Sequence, residues 1–147
     1  MENKEEIFAA KAAQGYLTCN NTQCQLHERC LRYDVSRHLT SKDLIVRMVN
    51  PNHKLVAANQ CPLFRDNTPQ RMVVGMKHHF YLDMPARIAT GIKKRLIDHN
   101  CRSTYYQYHN GKRPITPQML AFIKQVCREE GWNQPLVFDG ETEGFVW

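Results

Sequence analysis

Hydrophobic positions recur at helical spacing through the second half of the chain and lose that period over much of the first. Glu5 to Ala13 is rich in strong helix formers and stops at Gly15, which predicts a short leading helix. Residues 17–69 show little 3.6-residue repeat. Within them, Leu44 to Val49 is enriched in β-branched residues and halts at Asn50-Pro51, which predicts a strand; Thr40 to Asp43 offers the alternative of a capped helix. Leu55 to Ala58 would then pair with that strand across Asn50-Pro51-Asn52. Asp66 to Pro69 reads as a boundary loop.

From Met72 onward the pattern is helical. Arg71 to Leu82 predicts a weak helix with Gly75 against it. Asp83-Met84-Pro85 is a start signal, since proline suits a first turn where its missing N–H costs nothing. Ile88, Ile92 and Leu96 then share one face, with Arg87, Lys93, Lys94 and Arg95 on the others. A break over Asn100 to Thr104, closed by a capping residue, precedes a short helix from Tyr105 to His109, ended by Asn110-Gly111. Thr116-Pro117 opens the last helix, whose buried stripe is Met119, Leu120, Ile123, Val126 and Cys127. Gly131 closes it, with Trp132 folding back on the preceding turn.

A chain of 147 residues with 42% hydrophobic and 23% charged residues can build a core and is not a disordered polymer. No apolar stretch reaches the ~18 residues of a membrane helix. Met1 to Glu6 lacks the basic flank and apolar centre of a secretory signal, so the expected location is the cytoplasm. The net charge of +6 is unevenly spread: residues 1–84 carry +3, residues 85–131 carry +6, and the tail 132–147 carries −3. A concentrated cationic stretch draws polyanions through counterion release; the bland counterpart is a solvated helical face.

Four of the six cysteines fall in the poorly periodic segment, as Cys19-x4-Cys24-x5-Cys30 and then, thirty residues later, Cys61 followed by Pro62. In a reducing compartment such thiols serve as metal ligands or buried groups before they serve as disulfides. Four thiolates complete a tetrahedral structural zinc site, which would staple a segment short of apolar residues, with sulfurs about 3.8 Å apart for ~2.3 Å bonds. An iron–sulfur cluster and four unmetallated thiols are the alternatives, and His27 or His38 could replace one thiol.

In the basic segment, a helix bearing Ile92 and Leu96, a sharp turn and a second helix follow the spacing of a helix-turn-helix. The start of its second helix offers Arg102, Ser103, Thr104 and Gln107: arginine reads guanine, glutamine reads adenine, and hydroxyls suit phosphate. Lys112 and Arg113, with Lys93 and Lys94, would reach the phosphate backbone of duplex DNA. The plainer reading makes Tyr105, Tyr106 and Tyr108 packing residues of a helical hairpin. Enzymatic signals are thin. His78-His79 is an adjacent pair whose rings diverge, no Gly-rich phosphate loop or nucleophile elbow occurs, and Cys101 and Cys127 read as core residues.

The stretch Ser103–Pro117 resembles the recognition helix and following loop of phage-repressor-type helix-turn-helix proteins, and more faintly the tetracycline-repressor type. That resemblance implies a first helix supplied by residues 72–82. Across almost its whole length the chain also resembles an uncharacterised bacterial family of unknown function. The shared pattern is Cys24 with Cys30-Leu31-Arg32, Val49-Asn50-Pro51, Cys61 to Arg65, Tyr105-Tyr106 before Gly111, Gly131-Trp132, Phe138-Asp139 and Trp147. It implies one architecture and no particular activity.

The expectation is therefore an α+β, mainly α protein: a Cys-rich, metal-stapled N-terminal module (1–69) packed on a C-terminal helical, helix-turn-helix-like module (70–147). Leu136 to Phe138 and Phe145 to Trp147 are expected to return over the junction, because large aromatic residues favour burial. The expected function is non-catalytic DNA binding or regulation with structural zinc. The alternatives are an adaptor whose basic face meets an acidic protein partner, and an iron–sulfur redox or sensing module; neither a membrane nor a small-molecule substrate is expected.

Overall fold

The computed structural model describes residues 3–147. Over those residues the protein is mainly helical, with six α-helices and one two-stranded sheet. Two units are distinguished: residues 3–69 together with 145–147, and residues 70–144.

In the first unit, α1 (Lys4–Ala13) begins where the Asn3 side chain accepts the Glu5 amide and ends at Gly15, whose φ of 75° suits a residue without a Cβ. It buries Phe8 and Ala12 against Leu31 and Val35 of α2 (Leu31–Ser36), and Phe145 of the tail completes this small core. A 3-10 turn (His27–Arg29) leads into α2. The strand expected over Leu44–Val49 is not formed. Met48 makes only an isolated parallel bridge to Thr18, and Leu44 and Ile45 are 95% and 87% exposed. Its expected partner, Leu55–Ala58, lies instead in and beside α3 (Lys54–Ala57), started by the His53 ring accepting the Leu55 amide. β-branched composition marks strands only where a partner strand and a face to bury are both present; here no partner strand forms, and of the run only Val49 is buried.

In the second unit, β1 (Gln70–Val74) occupies the start of the stretch expected to be helical, and turns follow it as far as Asp83. Its antiparallel partner is β2 (Gly140–Gly144), with Met72 opposite Thr142. The signal was missed because the partner lies about seventy residues away and reads as Gly-Glu-Thr-Glu-Gly, a poor strand former in isolation. Residues 72–82 therefore supply no first helix for a repressor-type fold.

Three helices follow. α4 (Ala86–Asn100) starts at Pro85 and buries Ile92 and Leu96 completely, while Ile88 is partly buried. α5 (Arg102–His109) starts directly after Cys101, whose φ of 64° makes the turn, so Ser103 and Thr104 sit inside its first turn and not ahead of it. α6 (Pro117–Glu129) has Thr116 as cap, its hydroxyl accepting the Met119 amide, and buries Met119, Ile123, Val126 and Cys127. At its end Gly131 (φ 91°) lets the Trp132 amide return to the Cys127 carbonyl at 2.8 Å, the expected fold-back. Leu136 and Phe138 pack on this helical core, whereas Phe145 and Trp147 belong to the core of the first unit.

Candidate functional site

In the first unit, the loop after α1, the turn before α2, α2's leading residue and the chain after α3 bring Cys19, Cys24, Cys30 and Cys61 to the walls of one pocket. All four are free thiols; Cys30 is buried and the others half-buried. Backbone bonds fix the walls. The Cys19 amide donates to the Arg32 carbonyl at 3.0 Å, and the Cys24 amide to the Asn21 carbonyl at 3.3 Å. The Gln25 amide donates to Asn59 Oδ1 at 3.0 Å, tying the Cys24 loop to the segment that leads into Cys61. Burial pushes the Cys19 thiol above its ordinary value; a backbone hydrogen bond at Asn21 opposes this, and the nearby Cys30, Cys24 and Cys61 sulfurs reinforce it.

The closed tetrahedron expected from the spacing is not formed. No three His, Cys, Asp or Glu side chains among the described residues stand in an arrangement that could hold a metal ion. His27 lines the same pocket, with Nδ1 2.6 Å from the Cys24 carbonyl oxygen. His38 does not; it lies against Glu5 and Phe8. Sequence reasoning also missed Arg32, which joins the pocket wall with two side-chain hydrogen bonds to backbone carbonyls. Its sequence signals were proximity to Cys30 and a place in the Cys30-Leu31-Arg32 pattern of the family resemblance.

In the second unit, α5 turns Tyr105 and Tyr108 into the core, with Tyr105 1% exposed, and leaves Arg102, Ser103 and Gln107 at the surface. The packing role weighed for the tyrosines holds for these two. Tyr106 is half-exposed, and two cations from different helices flank its ring: Lys93 Nζ of α4 at 5.5 Å from the centroid and the Arg102 guanidinium carbon at 5.8 Å. Past the end of α5, the Lys112 and Arg113 amides donate to the Gln107 carbonyl at 2.9 and 3.1 Å, and the Arg113 guanidinium lies over Tyr108 at 5.3 Å. Lys94, Lys112 and Arg113 are exposed, and Thr104 and Lys93 are half-buried.

Among the described residues none of Lys93, Lys94, Arg102, Lys112 and Arg113 has an acidic ion-pair partner. Arg95 of the same α4 is neutralised by Glu129 and Glu130 of α6. Arg71, Lys77, Arg87, Lys124 and Arg128 of this unit have no acidic ion-pair partner among the described residues either, so the group near α5 is set apart by its shared Tyr106 ring and not by being unpaired. His78 and His79 serve structure, their amides donating to the Asp139 carboxylate.

No helix among the described residues is long and apolar enough to cross a membrane. A model of a family of unknown function (DUF6078) matches residues 1–147, and the chain belongs to that family. No curated protein and no solved structure matches it.

Proposed function

We propose that this protein is a non-catalytic nucleic-acid-binding regulator of the reducing cytoplasm. Its α4–α5 pair acts as a helix-turn-helix-like reader of duplex DNA, and its four-thiol pocket takes up one structural zinc ion. The observation that carries the DNA reading is the Lys93–Tyr106–Arg102 cluster, two cations without acidic partners on one half-exposed aromatic ring. Cations that a protein leaves unneutralised are available to phosphates. Arg102, Ser103 and Gln107 occupy the exposed face of α5, where base edges would be met, while the exposed Lys112, Arg113 and Lys94 would grip the backbone.

For the metal, the support is the convergence of four free thiols from three loop segments and the start of α2 on one pocket. Zinc binding would draw those sulfurs inward into the tetrahedron the ion demands, coupling metal uptake to local folding. A second reading, an adaptor for an acidic protein partner, draws on the exposed Leu44 and Ile45 as an apolar contact beyond the cationic face.

The DNA reading is tested by duplex binding across a salt series. Affinity should fall steeply between about 50 and 200 mM salt, and Lys93→Gln with Arg102→Gln should flatten the slope. A wild-type protein with no affinity for duplex at low salt refutes the reading. Elemental analysis of freshly purified protein should return one zinc per chain; a brown, visible-absorbing preparation would assign the thiols to an iron–sulfur cluster instead.

A further inference from the structure

Arg32 is 8% exposed, and among the described residues no acid pairs with it. An arginine keeps its charge in a protein, and a buried charge without a counter-ion is costly. The hydrogen bonds of Arg32 do not supply one. Nε donates to the Leu63 carbonyl at 2.6 Å, one terminal N–H donates to the Leu17 carbonyl at 3.0 Å, and the guanidinium lies 5.0 Å from the centre of the Tyr16 ring. The Arg32 carbonyl in turn accepts the Cys19 amide at 3.0 Å.

Each partner stands beside a cysteine. Leu17 is two residues before Cys19, Leu63 is two after Cys61, and Arg32 itself is two after Cys30. One side chain therefore ties together the three chain segments that carry Cys19, Cys30 and Cys61, and it lines the same pocket as all four thiols. A rigid planar fork suits this task, since it holds two carbonyls at a fixed angle while its charge stays free to act on a third group.

We infer that Arg32 is the positioning residue and built-in counter-charge of a metal–tetrathiolate at Cys19, Cys24, Cys30 and Cys61. The inference rests on the zinc reading given above. One divalent ion with four thiolates carries two negative charges, and an arginine in the wall of the same pocket would offset part of that charge. Groups behind the ligands set ligand orientation and metal affinity, commonly by about 10–100-fold.

The test uses the full-length protein, stripped of metal under reducing conditions and reloaded with Zn²⁺ or Co²⁺. Zinc affinity is read by chelator competition, the Co²⁺ charge-transfer and ligand-field bands by absorption, and Tm is measured with and without zinc. Wild type should give the bands of a tetrathiolate. Arg32→Gln should bind zinc about tenfold or more weakly and lose most of the zinc-dependent rise in Tm, with altered Co²⁺ bands. Arg32→Lys, which keeps the charge without the fork, should fall between them. An Arg32→Gln protein whose Tm drops equally with and without zinc, at unchanged affinity and spectrum, makes Arg32 an ordinary buried donor and overturns the inference alone. Should that variant fail to fold, Arg32→Lys decides, and wild-type zinc affinity there overturns the positioning role. A wild-type protein that takes up neither ion overturns the zinc reading itself.

Discussion

The carboxylate of Asp139 lies so close over Gly75 that a Cβ added to the glycine would sit 2.7 Å from Oδ2, while the Asp139 amide donates to the Gly75 carbonyl at 3.0 Å. Gly75 also has a φ of 77°, which disfavours any side chain. The close approach lets Asp139 accept the amides of Lys77, His78 and His79 at 2.9, 3.0 and 3.1 Å, so that the turn after β1 closes on the residue before β2.

Burial acts to raise the Asp139 pKa, but the hydrogen bonds from Lys77, His78 and His79 outweigh it and hold the carboxyl below its ordinary value of 3.8. The stability this contributes is complete above that ordinary value and is lost as pH falls through the lower, folded one. Asp139→Asn should therefore lower stability at neutral pH by about 1.5–3 kcal/mol and weaken the acid dependence below about pH 4. Thermal unfolding from pH 7 to 2 checks both, and an unchanged acid limb would remove the carboxylate from this role.

Tyr81 and Tyr105 place their hydroxyls 3.0 Å apart inside the helical core, and burial pushes both phenols above their ordinary value. Raised values mean that their stabilisation is full below pH 10 and lost as pH rises through the folded values. Tyr105→Phe would leave the Tyr81 hydroxyl without this partner, at about 1–3 kcal/mol. Denaturant unfolding measures the loss, and ultraviolet titration should show Tyr81 and Tyr105 ionising above the ordinary phenol range in the folded protein.

Leu44 and Ile45 are almost wholly exposed despite their place in the most strand-like run of the chain. Leu44→Ser with Ile45→Ser should change stability by no more than about 0.5 kcal/mol. A loss of several times that amount, seen as a shifted denaturation midpoint, would mean that these side chains are buried in solution.

Cys101 and Cys127 differ in chemistry although both were read as core residues. Cys101 is exposed at the start of α5, where the Thr104 hydroxyl, the Thr104 amide and the Ser103 amide hold its thiol below the ordinary value. Cys127 is buried, and burial pushes its thiol up to about 11. Mass spectrometry after brief iodoacetamide treatment at neutral pH should find Cys101 modified well ahead of Cys127; the reverse order would contradict the placement of α5's first turn.

Lys112→Glu with Arg113→Glu should remove most duplex-DNA affinity, because each lost phosphate contact takes about 0.9 from the slope of log affinity against log salt. Gln107→Ala should alter preference among sequences more than it alters overall affinity. Equal binding by the double variant would favour the acidic-partner reading.

Legibility followed the range of the signal. Thr116-Pro117 and Gly131-Trp132 bounded α6 correctly because a cap and a left-handed terminator act within one turn of the helix they limit. Lys93 and Gln107 could be placed on their helices, but the Lys93–Tyr106–Arg102 cluster could not, because it depends on how α4 meets α5 at Cys101. Arg32 drew no functional reading for the same reason, its carbonyl partners lying fifteen and thirty-one residues away.

By itself, the order of residues determined α1, α4 and α6, most of the core stripe of α4 and α6, the concentration of positive charge over residues 85–131 and the presence of four thiols in a segment with little helical period. Helix limits and apolar faces are set by neighbours within a few positions, so they can be read locally. Only the tertiary structure decided that Gln70–Val74 is a strand, that Leu44–Met48 is not one, and that Cys61 joins Cys19, Cys24 and Cys30 at a pocket beside Arg32. Those outcomes turn on which distant segments meet, and a strand or a buried charge is stabilised by a partner that its own sequence does not contain.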